Sequence, residues 1–306
     1  MQVELLELEA SIKELKRELR RGRWFKNAIY LLLISYLMIH LLASVGVIEE
    51  IDPGERIASI TLQGEISSET PNSAEILAPA LHQAAKDPRV RHLLLRLNSP
   101  GGTPAQAERI WQTLRTIKEK HPEKQILVSI DELCASACYY IASAADEIHA
   151  TEVSLVGSIG VRMGGFGFVG TMEQLGVEQR ELTAGEYKAL LDPFAPRNPE
   201  AEQFLKEHVL TATHNIFIDR VQQGRSDKID SEQELFNGLI WIGQEAKTLG
   251  LIDGFDSPRT LSERLEVENI VDYTPKVDLF EQYANQLATS LSALWREVPQ
   301  MTPQLK

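Results

Sequence analysis

Cysteine is nearly absent from this chain, which holds only Cys134 and Cys138 among its 306 residues. Two thiols without a histidine at metal-ligand spacing cannot build a structural zinc site, so the sequence predicts no metal. The cysteines stand four positions apart across a predicted turn, where a disulfide would be strained. We therefore interpret them as two small buried thiols that line a pocket.

Net positive charge is lacking as well, because 44 acidic residues outnumber 31 basic ones and give a formal net charge of −13. A chain this acidic is poorly suited to bind the phosphate backbone of nucleic acid. The sequence also lacks the glycine-rich phosphate loop, with its following lysine, that nucleotide-hydrolysing enzymes use. These two absences argue against a nucleic-acid partner and against nucleotide hydrolysis.

Long apolar runs are missing with one exception, Ala28–Val47, which carries no formal charge. Its length at ~1.5 Å per helical residue spans the ~30 Å hydrocarbon core of a bilayer. Basic residues precede this run and acidic residues follow it, so the positive-inside rule predicts a cytosolic N-terminus and a large domain on the outer side of a bacterial-type inner membrane. A cleaved signal peptide is the rival, but the long basic region favours an uncleaved, single-pass anchor.

This anchor divides the chain into five predicted segments. They are a cytosolic basic helix (1–26), a transmembrane signal-anchor (27–48), a linker (49–55), a large domain (56–275) and a C-terminal amphipathic helix and tail (276–306). In the first segment, apolar residues at steps of three and four predict a helix over 2–24. This helix either associates with its copies or lies against the membrane surface.

The large domain alternates strand and helix patterns. Residues 56–66 alternate as a strand does, and residues 92–97 (HLLLRL) form the apolar run of a strand that is buried on both faces. With a third strand over 125–130, this predicts an α/β fold whose parallel strands are joined by crossover helices. The remaining patterns predict helices over 73–86, 104–120, 171–175, 199–225 and 246–253, and strands over 177–182 and 239–242.

Two loops at the carboxyl ends of these strands, where α/β sheets place their sites, hold candidate functional residues. Residues 98–102 (NSPGG) follow the second strand, and residues 131–150 indicate a strand end, a tight turn and a small-residue helix. Ser136 falls where the turn becomes helix, so its hydroxyl lies near the free N–H groups of the first turn, which suit an oxyanion. The simpler alternative is a helix N-cap.

Five segments in order together resemble the signal peptide peptidase A family of membrane-anchored serine proteases, in its one-domain form. The resemblance implies a fold like the crotonase and Clp-protease superfamily, a repeated βαβ spiral, here preceded by the predicted transmembrane helix, with residues 56–275 as the serine protease domain. The five segments are 97–102 (LNSPGG), 135–142 (ASACYYIA), 156–161 (VGSIGV), 185–188 (GEYK) and 243–253 (GQEAKTLGLID).

The resemblance places the catalytic nucleophile on Ser136 and the general base on Lys188. A serine hydroxyl needs a base, and lysine serves only when neutral, so its pKa must fall well below the reference value of ~10.4, as desolvation achieves. Lys188 stands near Tyr187, Leu190 and Phe194, a suitably apolar sequence context. No cofactor is needed for this chemistry.

The resemblance also implies an oxyanion site formed by the N–H of Ala137 and the N–H of Gly101 or Gly102. Ser158 is a candidate to orient the lysine, with a turn serine as the equal alternative. The family usually has Gly-Gly after the nucleophile, where this chain has Ala137 and Cys138. A position that needs a positive φ would be strained by alanine, which puts substrate preference and catalysis in question.

The implied function is degradation of signal-peptide remnants and other apolar peptides. One-domain members of the family share each site between neighbouring subunits, so we expect a homo-oligomer. A Ser-His-Asp triad, with His149 as its best candidate, is the weaker interpretation of the catalytic residues. Three alternatives remain for function: a crotonase-like enzyme acting on a thioester, a catalytically silent membrane scaffold, and a Ser-Lys protease that clips one specific membrane partner.

Overall fold

The computed structural model of the chain describes residues 24, 26–38, 54–229 and 235–276. The chain divides into two compact units, Met1–Gly54 and Glu55–Lys306. In the first unit, residues 26–38 are helical. Among the described residues, no helix combines the length and apolar character needed to cross a membrane. The helix predicted over 2–24, the end of Ala28–Val47 and the C-terminal amphipathic helix lie outside the described residues.

In the second unit, the described residues form one mixed seven-stranded sheet. The strand order is β6-β5-β3-β2-β1-β7, with β4 paired beside β3. All pairings are parallel except that of β5 with β6. The strands are β1 (Arg56–Gln63), β2 (Val90–Ser99), β3 (Gln125–Ala135), β4 (Glu147–His149), β5 (Leu155–Gly157), β6 (Ile240–Ile242) and β7 (Asn269–Asp272).

Short helices join and flank these strands. A π-helical segment, Lys206–Leu210, separates α5 from α6. The helices are α1 (Ala74–Lys86), α2 (Pro104–Lys120), α3 (Ala137–Ala142), α4 (Val169–Leu175), α5 (Pro199–Leu205), α6 (Thr211–Arg225), α7 (Gly243–Thr248) and α8 (Pro258–Arg264).

The central strand β2 is buried on both faces, as its apolar run predicts. Leu93 and Leu95 belong to the large core that includes α1 and α2, whereas Leu94 faces a smaller core with Leu127 and Leu261. Consecutive strand residues point to opposite faces, so an uninterrupted leucine run suits a strand covered on both sides. The predicted α/β sheet is therefore confirmed.

Some predicted elements differ from the structure, including the helix predicted over 246–253, which instead spans Gly243–Thr248. Residues 177–182 form no strand, because no neighbouring strand pairs with them. The helix predicted over 199–225 is interrupted by the π-helical segment, and β3 continues past residue 130 to Ala135. That extension pairs with β5 and carries the chain directly to Ser136.

Helix α6 is fastened to the sheet near its C-terminus. The Arg225 side chain is fully buried, where it pairs with Asp253 at 2.7 Å and donates to the Gly250 carbonyl at 2.6 Å. At the preceding residue, a Cβ added to Gly224 would lie 1.7 Å from the Ser143 carbonyl oxygen, so only glycine fits there. This contact brings α6 backbone to backbone against the chain that follows α3.

Candidate active site

Ser136 lies on a strained turn between β3 and α3. Its backbone has φ 54° and ψ −122°, a conformation that is costly for a residue with a Cβ. Two hydrogen bonds hold the turn: the Ser136 N–H donates to the Gly157 carbonyl (2.9 Å), and the Ser136 carbonyl accepts from the Tyr140 N–H (3.0 Å). The side chain caps no helical N–H group. Ser136 thus occupies an N-cap position, but its hydroxyl has no hydrogen-bond partner among the described residues.

The glycine loop after β2 packs directly against this turn. A Cβ on Gly101, which has φ +109°, would lie 2.9 Å from the Ser136 Cβ. A Cβ on Gly102 would lie 2.0 Å from the Ile66 carbonyl oxygen. Both positions therefore require glycine, because a Cβ on Gly101 would collide with the Ser136 turn and a Cβ on Gly102 would collide with the Ile66 backbone.

Two backbone N–H groups beside Ser136 are without a hydrogen-bond acceptor in the described part of the chain, those of Gly102 and Ala137. The Gly101 N–H differs, since it donates to the Ser99 hydroxyl at 3.1 Å. Free N–H groups next to a serine suit the developing negative charge of a tetrahedral intermediate. Of the two glycines named from the sequence, the geometry favours Gly102 as the donor.

Alanine after the serine causes no backbone strain. The positive φ at this turn belongs to Ser136, whereas Ala137 has none and begins α3. The concern that alanine replaces a required glycine is therefore unfounded for the backbone at this position.

The two cysteines are not free thiols, which corrects our interpretation from the sequence. Cys134 and Cys138 form a disulfide. Cys134 is the last but one residue of β3, and Cys138 lies in the first turn of α3, so the turn at Ser136 brings their Cα atoms within 5.1 Å. Spacing along the sequence alone does not reveal this reversal, because it depends on the strained turn at Ser136.

A cavity of about 90 Å³ opens beside Ser136 and Ala137. Its walls are largely apolar, which is typical of a pocket that accepts an apolar side chain. Besides those two residues, the lining is Gly102, Pro104, Tyr140, Gly160, Val161, Arg162, Thr213 and Phe217.

A buried polar cluster that sequence reasoning missed supports one wall of this cavity. The Tyr140 hydroxyl donates to Glu108, which also accepts two hydrogen bonds from Arg220, the shorter at 2.7 Å. Burial would raise the pKa of Glu108, but hydrogen bonds from Arg220, Tyr140 and Gln112 outweigh it and hold that pKa below its ordinary value. Burial and the adjacent carboxylate raise the pKa of Tyr140.

Lys188 is not brought to Ser136 within one chain. It is exposed in the loop after α4, and it does not line the cavity. Its backbone N–H donates to the Gly185 carbonyl at 3.2 Å. Ser158 is nearer the site, since it follows Gly157, the acceptor of the Ser136 N–H. Ser158 is half-buried with φ 51°, and its own N–H donates to Leu239.

His149 lies far from Ser136. His149 of β4 pairs with Ser129 of β3, six residues before Ala135, and does not line the cavity beside Ser136. The imidazole is buried, 2.9 Å from Glu147 and 3.4 Å from Asp256. This arrangement suits a structural histidine. Among the described residues, no group of three or more His, Cys, Asp or Glu could hold a metal ion.

The sheet presents a serine on a strand-to-helix turn, next to two N–H groups that have no acceptor among the described residues. This arrangement is typical of a serine hydrolase. The family model described as Peptidase family S49 matches residues 118–272, just over half of the chain, including Ser136 and Lys188. The chain therefore belongs to Peptidase family S49, and the resemblance to the signal peptide peptidase A family is confirmed.

Curated relatives agree with this family, although they differ in length. The chain is 30% identical over 259 residues to a candidate protease from Methanocaldococcus jannaschii, covering 79% of this chain and 82% of that protein. It is 29% identical over 208 residues to the chloroplastic serine protease SPPA of Arabidopsis thaliana, covering 65% and 30%. A protein from Brucella abortus named as a Na⁺/H⁺ antiporter is 38% identical over 208 residues, covering 68% of this chain but only 28% of that relative.

Proposed function

We propose that this protein is an endopeptidase that degrades signal-peptide remnants and other apolar peptides by means of a Ser-Lys dyad. The observation that carries the proposal is Ser136, held on a strained turn with its hydroxyl uncommitted, between the free N–H groups of Gly102 and Ala137. The dyad, the substrate and the membrane anchor each go beyond family membership.

In the proposed reaction, neutral Lys188 accepts the Ser136 proton and the serine oxygen attacks a peptide carbonyl. The N–H groups of Gly102 and Ala137 bind the resulting oxyanion. Collapse of this intermediate expels the amine, which takes up the proton from the lysine, and leaves an acyl-enzyme. Lys188 then activates the water that releases the acyl group. Ser158 is the candidate to orient the lysine.

The position of Lys188 supports a site shared between two subunits. The segment that carries it is exposed and unusually apolar, with Leu182 wholly exposed and Phe166 at 83% exposure. Exposed apolar surface of this kind marks a contact with another protein. In a ring, a second copy would cover this segment and present Lys188 to the Ser136 of its neighbour.

Two features support apolar substrates on the outer side of a membrane. The cavity beside Ser136 is walled by Pro104, Tyr140, Val161 and Phe217. The disulfide belongs to an oxidising compartment, which agrees with a catalytic domain beyond the inner membrane. We propose that Ala28–Val47 anchors the chain there with the N-terminus in the cytosol.

The first experiment measures hydrolysis of a fluorogenic apolar peptide by the full-length chain. We expect Ser136→Ala and Lys188→Ala each to lower kcat at least ~10³-fold. Matched controls are Ser143→Ala, which removes another serine next to α3, and Lys206→Ala, which removes another exposed lysine; both should retain activity. Full activity in Lys188→Ala would contradict the dyad.

Mixing the two inactive variants tests the shared site. If Ser136 and Lys188 come from neighbouring subunits, randomly mixed rings keep about a quarter of their sites intact and regain activity in proportion. If both groups come from one chain, every site lacks one of them and no activity returns. Co-assembly is verified with differently tagged variants, so that a negative result counts against sharing.

A second candidate is a Ser-Lys protease that clips one membrane partner. Its support is the Brucella relative, in which the matched region is part of a longer protein named for a transporter. Release of a defined fragment from membrane proteins, with no turnover of apolar peptides, would favour it. A chain that hydrolyses neither and leaves Ser136 unlabelled by a fluorophosphonate would instead be a silent scaffold.

A further inference from the structure

The Cys134–Cys138 disulfide spans Ser136, with two residues on each side. We propose that this cross-link is a positioning element for Ser136 and for the Ala137 N–H, and that a dithiol which opens it switches hydrolysis off reversibly. The inference rests on the proposed function, because it takes Ser136 as the nucleophile and Ala137 as an oxyanion donor. Every thiol that appears on reduction comes from this pair, since these are the only cysteines of the chain.

Cys134 is the fixed end of the cross-link. It lies on β3 in register with Ser99 of β2 on one side and with Val156 of β5 on the other. The Ser99 hydroxyl accepts the hydrogen bond from the Gly101 N–H and thereby shapes the loop that presents Gly102. Cys134 therefore pairs with Ser99, the β2 residue whose hydroxyl holds the loop that presents the Gly102 N–H.

Cys138 is the end that needs holding. It lies in α3, a helix of six residues, which is too short to be stable by itself. The free N–H of Ala137 belongs to the first residue of this helix, so its direction follows the first turn. The disulfide ties that turn to β3.

Backbone hydrogen bonds alone leave this geometry underdetermined. The Ser136 N–H and carbonyl are both bonded, but the Ala137 N–H has no acceptor among the described residues. A non-glycine residue at φ 54° relaxes unless its surroundings hold it. When the cross-link opens, we expect the turn to relax and the N–H to leave the oxyanion position. Displacements of about 1 Å in a catalytic group cost ~10²-fold in rate.

The switching step is thiol–disulfide exchange with a dithiol such as dithiothreitol. One reductant thiolate attacks a cysteine sulfur, the protein S–S bond breaks, and a mixed disulfide forms. The second reductant thiol then displaces the protein sulfur. The products are two cysteine thiols and the cyclic disulfide of the reductant, so two electrons and two protons pass to the protein.

Burial of the cross-link predicts that the two sites are coupled. Cys134 and Cys138 are both fully buried, so a reductant reaches them only when the first turn of α3 opens. A fluorophosphonate adduct on Ser136, whose oxygen accepts from the Ala137 N–H, should hold that turn closed. We therefore expect the adduct to slow reduction at least ~5-fold, a readout that is independent of activity.

The test compares the full-length chain in its oxidised, dithiol-reduced and reoxidised forms, with thiols counted by mass spectrometry after alkylation. We expect reduction to lower kcat at least ~10-fold while KM changes less than about twofold, and reoxidation to restore kcat. Circular dichroism and oligomeric mass should stay unchanged. A chain that unfolds or dissociates on reduction would overturn the proposal, because the cross-link would then be merely structural.

Variants separate this inference from the proposed function. A Cys134→Ser/Cys138→Ser double variant should have low kcat and no response to the dithiol. The matched control Val128→Ala, at an equally buried position on β3, should keep the oxidised kcat and the full dithiol response. Unchanged kcat in reduced wild-type protein overturns the positioning role alone, whereas full activity in Ser136→Ala overturns the proposed function.

Discussion

Residues 55–160 and residues 161–197 belong to one compact unit but are built in opposite ways. The first region holds the five strands β1–β5 and fully buried residues such as Ile57 and Leu94. In the second, every residue is described and none is buried. Ser136 lies in the first region and Lys188 in the second.

This difference separates what one chain completes from what it leaves open. The sheet fixes Ser136, the glycine loop and the cavity through contacts within the chain. The segment with Lys188 offers apolar side chains that nothing in the described chain covers. We expect catalytic competence to depend on protein concentration, because only assembly would bury that segment.

The largest loss of stability is expected when α6 loses the attachment that Arg225 provides. Replacing Arg225 with alanine removes a fully buried guanidinium, its pair with Asp253 and its hydrogen bonds to the Gly250 carbonyl, which should lower the free energy of unfolding by ~3–5 kcal/mol although Asp253 keeps its pair with Lys228. The control is Arg259→Ala, whose exposed pair with Glu263 should change it by less than ~0.5 kcal/mol. Denaturant unfolding measures both. Equal effects would mean that α6 is not anchored there.

A matched pair of leucines tests the contrast directly. Leu95 is 3% exposed and Leu182 wholly exposed. Leu95→Ala should lower the free energy of unfolding by ~2–5 kcal/mol, because it leaves a cavity in the core. Leu182→Ala should change the stability of the unassembled chain by less than ~0.5 kcal/mol. A large loss at Leu182 in dilute protein would show that the loop is packed within the chain.

Acid should weaken the attachment of α6 through the carboxylate of Asp253. Burial alone would raise the pKa of Asp253, but bonds from Arg225, Lys228 and the Ile148 N–H hold it below its ordinary value. A carboxyl with a lowered folded pKa stabilises the fold above its unfolded pKa of ~4, and this contribution is lost as pH falls through the folded pKa. Unfolding free energy should therefore decline below about pH 4. Asp253→Asn should flatten that decline.

The smallest expected effect concerns Tyr140, which faces the cavity. Tyr140→Phe removes the hydroxyl that donates to Glu108 but keeps the ring against Phe217, at 4.8 Å between centroids. We expect a stability loss of ~1 kcal/mol and a kcat/KM within about threefold of wild type. Tyr139→Phe, which removes a buried hydroxyl facing the core, is the control. A tenfold fall in kcat confined to Tyr140→Phe would give that hydroxyl a part in the reaction.

Much of the sheet could be predicted because its signals are local. The run HLLLRL predicts a strand covered on both faces, and the helix over 104–120 appears with those bounds as α2. The strand predicted over 177–182 is wrong, because a strand needs a neighbour and none of the described strands pairs with this segment. Ser136 and the glycine loop were predictable as strand-end residues.

The features that could not be predicted depend on contacts between residues that are far apart in the sequence, or on unusual backbone conformations. Glu108 and Arg220 meet across 112 residues, and neither stands in a motif. The disulfide depends on a backbone conformation that serine rarely adopts, so spacing favours free thiols. The π-helical segment shifts the register of a long helix without any proline or glycine to announce it.

The close contact of Gly224 with Ser143 fixes the position of α6 and, with it, the positions of the α6 residues that line the cavity. Phe217 and Thr213, which line the cavity, precede Gly224 on that helix by seven and eleven residues, or ~10 and ~16 Å at ~1.5 Å per residue. Because this contact keeps α6 from sliding, the depth of the cavity is set by Gly224 and Ser143, which do not line the cavity. A change in the depth of the cavity would require a change at the Gly224–Ser143 contact as well as at the residues that line the cavity.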